Sequence, residues 1–258
     1  MVSGTRRTRA PRSAGGRVRV AYVIDSLGHG GAERLLTAYL AHLPRLGIDP
    51  VVIALQERSG NPAAGEIAAL GVPVTQLAIE RLRQRGAYRA VAAALDDARP
   101  DLVHTQLEFA NVLGAAAAAR RGIPVVATLH TLEEPTRWSR AGLRMRLMAW
   151  SLRWHADRVI AVSEHARRHH LQWLHLPPGL VTTLHNGIET SRFAAGGEDR
   201  EAIRAELGIP AEAPLVVTVA VLRPPKGVDR MLRAMPAILA QVPHAHYLVV
   251  GDGPARPT

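Results

Sequence analysis

The chain contains no cysteine and a single lysine among its 258 residues, and only 4 % of its residues are aromatic. The absence of cysteine excludes disulfides and thiolate metal sites and fits a reducing compartment. No stretch approaches the roughly 18 consecutive apolar residues of a spanning helix, although 47 % of the residues are hydrophobic. The expectation is therefore a soluble globular chain. With few aromatics, arginines spread over several elements and no recognition motif, the net charge of +10 does not identify a nucleic-acid binder. Arg6, Arg7, Arg9, Arg12 and Arg17 lie in a Gly/Ser/Thr/Pro-rich leader, which leaves +5 for the rest. Residues 1–17 are expected to be a basic disordered tail. After Arg6-Arg7 the next apolar run, 18–24, is short, ends at Asp25 and has no small-residue cleavage pattern behind it, so the expected location is cytoplasmic.

What is present is an alternation of strand and helix signals. Residues 18–24 read as a β-branched strand, followed by a glycine-rich turn through Gly28, Gly30 and Gly31 and then a helix at 32–46 with Leu35, Leu36, Tyr39, Leu40 and Leu43 on one face. Further strands are predicted at 51–55, 72–79, 101–106, 123–130, 158–162 and 181–184. Helices are predicted at 63–70, 87–98, 109–121, 137–155 and 164–174, the last N-capped by Ser163. The nearly all-apolar run at 123–130 is the pattern of a central parallel strand. This is a doubly wound α/β domain, whose ligands bind at the carboxyl edge of the sheet. The glycine turn is not G-x-G-x-x-G, so a nicotinamide dehydrogenase is disfavoured. Between 189 and 214 the texture changes, with Gly196-Gly197, a charged helix at 199–207 and Pro210 and Pro214. A second βαβ pattern follows: 215–222, 228–240 and 246–250. The expected organisation is a tail at 1–17, a Rossmann-like domain at 18–190, a linker at 191–210 and the start of a second Rossmann-like domain at 211–258.

The one lysine, Lys226, sits at the strand-to-helix turn of that second pattern. A helix N-terminus presents unpaired N–H groups and a positive dipole end, and a lysine beside it adds a mobile charge suited to phosphate. On these residues alone, an ordinary surface lysine near a helix start fits as well.

Several marks then fall in one order: Gly30-Gly31-Ala32-Glu33-Arg34; Thr128-Leu129-His130; Ala156-Asp157-Arg158-Val159-Ile160-Ala161-Val162-Ser163; Asn186-Gly187-Ile188 with Phe193; Lys226-Gly227-Val228-Asp229; and Val250-Gly251-Asp252-Gly253-Pro254. Together they resemble the family 4 retaining glycosyltransferases of GT-B architecture, over about 18–254. The resemblance implies two Rossmann-like domains, the N-terminal one on the acceptor side and the C-terminal one binding the nucleotide-sugar donor. Lys226 matches the family lysine that neutralises the donor diphosphate. Gly30 and Gly31 match a loop whose backbone N–H groups approach the same diphosphate or the acceptor. His130 matches the cleft histidine near the reacting sugar, its alternative being a histidine that merely caps a strand end. His104 and Glu133 line the same edge on the acceptor side. The nucleotide sugar is a substrate; no cofactor and no metal motif are implied.

Two departures qualify the match. The family's Gly-Arg-Leu stretch reads Ala220-Val221-Leu222 here, with Arg223 two positions after the expected arginine. The family's glutamate pair, which binds the donor sugar and ribose, has no counterpart through Thr258. The expectation is a glycosyltransferase truncated within its donor domain and inactive as this chain, moving a sugar with retention to a glycan or lipid-linked acceptor. The alternative is a non-catalytic acceptor-binding or scaffold fragment of the same fold. One stretch adds a further question: Leu143, Leu147, Trp150 and Trp154 form an apolar helical stripe flanked by Arg140, Arg144, Arg146 and Arg153. Such a stripe either packs on the sheet, as a covering helix does, or lies peripherally on an anionic membrane.

Overall fold

The computed structural model describes residues 16–28, 30–57, 62–132, 139–193 and 197–256. The chain forms two compact units, one ending at Glu189 and one starting at Thr190. In the first, strands β1 (Val18–Ile24), β2 (Ile48–Ala54), β3 (Val74–Gln76), β4 (Leu102–Gln106), β5 (Val125–Leu129), β6 (Arg158–Ala161) and β7 (Val181–Thr183) alternate with helices. These are α1 (Gly31–Leu40), α2 (Pro62–Ala69), α3 (Ala87–Ala98), α4 (Ala115–Ala119), α5 (Arg140–His155) and α6 (Glu164–Trp173). The strands form one sheet in the order β3-β2-β1-β4-β5-β6-β7, and each neighbouring pair is parallel. The order reverses between β1 and β4, the switch point where such folds open a crevice at the carboxyl edge.

The apolar composition of the strands follows from burial on both faces. Along β1, Val20, Tyr22 and Ile24 pack with Leu36 and Leu40 of α1 and Ile67 of α2. The intervening Ala21 and Val23 pack on the opposite face with Val91 and Leu95 of α3 and the alanines of α4. A third cluster joins Ala127, Leu129, Val159, Ala161 and Val181 to Met145, Met148, Ala149 and Leu152 of α5.

Polar groups close the sheet's ends. Asp101 and Asp157, just before β4 and β6, accept from the N–H groups of Arg19 and Val125 on neighbouring strands, at 2.9 and 2.8 Å. At the other end Asp25, directly after β1, accepts from Phe109 N and Ala110 N at 3.0 and 2.7 Å, tying the end of β1 to the helical turn that follows β4. Ser163 caps α6 as its residue type predicts, accepting from Ala166 N at 3.0 Å.

Several elements differ from the sequence pattern. The helix expected at 32–46 ends at Leu40, and Leu43–Leu46 form a 3₁₀ turn, because Pro44 has no N–H to continue the α ladder. The strand expected at 72–79 is only Val74–Gln76. The helix expected at 109–121 begins as a π turn, Ala110–Gly114, before α4. Gly114 sits tightly there: an added Cβ would stand 3.0 Å from Thr105 Cγ2 and 3.1 Å from Val23 Cγ1, both in the core. The expected tail lies outside the described residues up to position 15.

The second unit holds α7 (Gly197–Glu206), β8 (Leu215–Val219), α8 (Val228–Gln241) and β9 (His246–Val250), with β8 and β9 parallel. The strand expected to reach 222 ends at Val219. Beyond it, Ala220 N and Leu222 N bond to the carbonyls of Val250 and Asp252. Gly251 and Gly253 allow this approach, since a Cβ on them would lie 1.9 and 2.5 Å from the carbonyl oxygens of Ala220 and Leu222. Among the described residues of this unit the buried apolar side chains are Ile209, Ala213 and Leu222, and α8 buries none. Leu232, Leu239, Val217 and Val219 remain exposed.

Adding a side chain should have opposite signs at two glycines. Gly65→Ala, in α2 with nothing within 4 Å of the added carbon, should stabilise by roughly 0.5–1 kcal/mol through lower backbone entropy of the unfolded chain. Gly114→Val should destabilise by about 2 kcal/mol through overpacking against β-branched core neighbours. Urea unfolding of both variants beside the parent checks this.

Candidate functional site

The carboxyl edge of the first unit's sheet carries a pocket of about 410 Å³. His104 and Gln106 from β4, Thr128 and His130 from the end of β5, Tyr39 and His42 from the α1 side, and the segment 184–189 after β7 line it. The structure thus brings His104 and His130 together, as the sequence placed them.

His130 is held by a relay of polar groups. Its Nε2 lies 3.1 Å from Gln106 Oε1, and the Gln106 amide nitrogen donates to the Tyr39 hydroxyl. A carboxamide oxygen only accepts, so His130 carries its proton on Nε2 and Nδ1 is the acceptor nitrogen. His104 Nε2 pairs with Thr128 Oγ1 at 2.7 Å, and the His104 ring tilts against Tyr22 at 5.3 Å. Burial pushes His130 down to about 4 and, with a smaller contribution from the His130 charge, pushes His104 down to about 4. Both imidazoles are therefore neutral at pH 7. Burial raises the Tyr39 phenol far above its usual range, so it stays protonated.

Beneath this layer the π turn carries a second network. Thr105 Oγ1 donates to Asn111 Oδ1 at 2.7 Å, Asn111 Nδ2 reaches Thr128 O at 3.3 Å, and Ser151 Oγ of α5 donates to the Asn111 and Val112 carbonyls. The widened turn offers these carbonyls to the Ser151 side chain, and π turns are frequent at functional sites.

The glycine loop behaves differently from its sequence reading. Gly30 is the N-cap of α1, and a Cβ there would lie 2.2 Å from Glu33 Oε2. Glu33 is buried and accepts from Ser26 Oγ at 3.4 Å. The space left by Gly30 is thus filled by the helix's own carboxylate, at the loop expected to approach the donor diphosphate or the acceptor. Gly31 has nothing within 4 Å of a would-be Cβ. Glu133 lies outside the described residues.

Lys226 and Arg223 belong to the second unit. Pro224–Lys226 form a 3₁₀ turn closed by Lys226 N bonding to Arg223 O at 2.9 Å. Gly227, at φ 70°, then starts α8 with no side-chain cap. Both basic side chains are exposed beside that open helix end. Asp229 in the first turn is engaged by Arg233.

Tyr39, Gln106 and Asn111 are site residues that the sequence reading gave no role, and Thr128 entered it only as the start of the Thr128-Leu129-His130 mark. Tyr39 counted there as part of the apolar face of α1, which its ring is, 5.5 Å from Tyr22; its hydroxyl is the part that serves the site. Gln106 had one signal, its place at a strand end like His130.

A doubly wound parallel sheet followed by a second βα unit with a basic turn before its helix is GT-B architecture. Anabaena HepE, solved in complex with UDP and glucose, superposes with a TM-score of 0.76 at 23 % identity, covering 92 % of this chain and 62 % of that one. Sucrose-phosphate synthase from Thermosynechococcus elongatus does so at 0.67 and 20 %, covering 93 % and 64 %. The family model described as Glycosyltransferase Family 4 matches residues 29–192, and that described as Glycosyl transferases group 1 matches 199–257. The chain belongs to Glycosyltransferase Family 4. The D-inositol 3-phosphate glycosyltransferase of Mycolicibacterium gilvum (strain PYR-GCK) is 32 % identical over 161 residues, 60 % of this chain and 35 % of the relative. That of Mycolicibacterium paratuberculosis is 26 % identical over 250 residues, 88 % of this chain and 54 % of the relative. The chain spans about a third to a half of the length of these relatives.

The buried imidazoles set a pH dependence of stability. His104, His130 and His170 all have folded-state values of about 4, below the ordinary 6.5, so their contribution is complete above pH 6.5 and is lost as pH falls toward 4. Asp25, which burial raises to about 6 against the pull of its backbone N–H partners, acts the other way over roughly pH 4 to 6. Three groups outweigh one, so unfolding near pH 5 should take up roughly two protons. Thermal melts between pH 4 and 7.5 should show the midpoint falling on acidification, with a shallower slope in His170→Leu.

Proposed function

We propose that this chain carries the acceptor side and part of the donor side of a retaining glycosyltransferase. It moves a sugar from a nucleotide-sugar donor to a glycan or lipid-linked acceptor. The observation that carries this reading is the pocket at the carboxyl edge, where a neutral His130 is fixed by Gln106 and Tyr39 with Nδ1 free of that relay. A neutral imidazole can accept a hydrogen bond from a sugar hydroxyl without first losing a proton. Family membership across both units supports the reading. So do the complexes of HepE with UDP and with UDP-glucose, which make a uridine diphosphate sugar the natural donor to test.

In the transfer the anomeric carbon's bond to the diphosphate oxygen breaks and its bond to the acceptor oxygen forms. The acceptor's proton passes to the departing diphosphate. Negative charge develops on that leaving group, and fixed cations and helix-end N–H groups stabilise it. Lys226 and Arg223, exposed beside the uncapped start of α8, are assigned this role. Gly30 and Gly31 are assigned a lesser one, because Glu33 repels a phosphate at that helix end; the pair of them suits a ligand hydroxyl donating to the carboxylate. His104 stands on the acceptor side. Among the described residues the second unit buries only the apolar side chains Ile209, Ala213 and Leu222, too small a core to hold a donor site firmly, so transfer by these 258 residues is set at background.

Titration calorimetry with uridine diphosphate should give weak binding, lowered about tenfold in Lys226→Ala by loss of one charge-assisted contact. Unchanged binding in the variant removes the lysine's role. Efficient transfer from UDP-glucose by this chain contradicts its assigned inactivity.

A further inference from the structure

Helix α5 is apolar on two opposite faces, and the sheet uses only one of them. Met145, Met148, Ala149 and Leu152 are buried. Leu143, Leu147, Trp150 and Trp154 are 56, 42, 57 and 58 % exposed. The stripe in the sequence therefore faces outward and does not pack on the sheet as a covering helix's apolar face does. Its spacings of four, three and four keep the side chains in one line about 16 Å long at 1.5 Å per residue.

The periodicity sets Arg140 and Arg144 along one side of that line and Arg146 and Arg153 along the other, all exposed, and α5 contains no acidic residue. Arg144 is engaged by Glu108 at 2.7 Å. The apolar surface also widens sideways. A groove of about 750 Å³ beside α5 is lined by Trp150, Met145 and Ala149 on one side and by Trp173 and Leu174 at the end of α6 on the other, with Arg146 and Arg153 among its walls. Trp173 is itself 44 % exposed. Among the described residues no helix is long and apolar enough to cross a membrane.

We propose that α5, with Trp173 beside it, docks this protein on an anionic lipid leaflet. The indoles and leucines enter the headgroup region, and Arg140, Arg146 and Arg153 meet lipid phosphates. Charge decides the occupant. A second copy of the chain would set arginine rows against arginine rows, a repulsive arrangement. A leaflet offers apolar depth along the stripe and negative charge on both of its sides at once, and tryptophan favours that boundary. The inference does not depend on catalysis, and its test needs no transfer activity.

Co-sedimentation with phosphatidylcholine vesicles, with and without phosphatidylglycerol, tests it. Binding is expected only to the anionic vesicles, weakening with salt and accompanied by a blue shift of tryptophan emission. Arg140→Gln, Arg146→Gln and Arg153→Gln combined should lower partitioning about a hundredfold, at roughly fivefold per basic side chain near the surface. Trp150→Ala with Trp154→Ala should lower it on the same vesicles, and Arg158→Gln, on β6, should change little. Circular dichroism confirms that the variants fold. Absence of binding at low salt overturns the proposal. So does binding that survives both variant sets, which would place it on the arginine-rich N-terminal leader. A self-association in sedimentation velocity that the tryptophan variants abolish, without vesicle binding, assigns the face to a second copy and overturns it equally.

Discussion

Burial of the parallel sheet on both faces is the constraint from which the rest follows. Ala21, Val23 and Ile24 of β1 are fully inaccessible, and so are Val103 of the adjacent β4 and Val125 of β5 beyond it. A polar group in such a strand must find a partner inside the protein, so polar residues gather where the strands end. Asp25, Gln106 and His130 each sit at or just beyond the carboxyl end of a strand, and each is spoken for by a neighbour. Asp25 joins the two sides of the switch point through two backbone N–H groups. Its burial opposes ionisation while those bonds favour it, and burial is the larger effect. The same compression explains Thr105 and Asn111, which are fully buried yet bonded to each other.

The two glycine-led helix starts show how little a backbone motif decides alone. Both α1 and α8 begin after a glycine with no side-chain cap. At α1 the glycine's missing Cβ admits Glu33, and a negative charge already occupies the positive end of the helix. At α8 the first-turn acid is drawn to Arg233, and Arg223 and Lys226 stand exposed on the preceding turn. One end is satisfied from within; the other leaves two cations exposed beside an uncapped helix start.

Helix α5 shows a similar division between faces. Its buried side obeys the rule for a helix covering a sheet, and Ser151 on its flank even supplies the hydrogen bonds that the π turn needs. The outward side repeats apolar residues at the same helical spacing, so periodicity alone could not say which stripe met the core. Met145, Met148 and Leu152 won that place through contact with Val159 and Ala161, neighbours distant in sequence.

The sequence by itself determined the α/β alternation, the parallel strands and the helix caps, because these rest on local signals: apolar runs of period two, apolar faces of period 3.6, and Ser163 before Glu164. It also marked His104 and His130 by their place on strands that end at one edge. It missed the end of α1 at Leu40, although Pro44 is a local signal for it, and the π turn at Ala110–Gly114, where Gly114 packs against Val23 and Thr105. Only the tertiary structure decided that Tyr39 and Gln106 fix His130, that Glu33 fills the space beside Gly30, and that the tryptophan stripe faces outward. Each of these depends on which side chains from remote positions meet, and hydrogen bonding and burial are settled at that meeting, where no local pattern reaches.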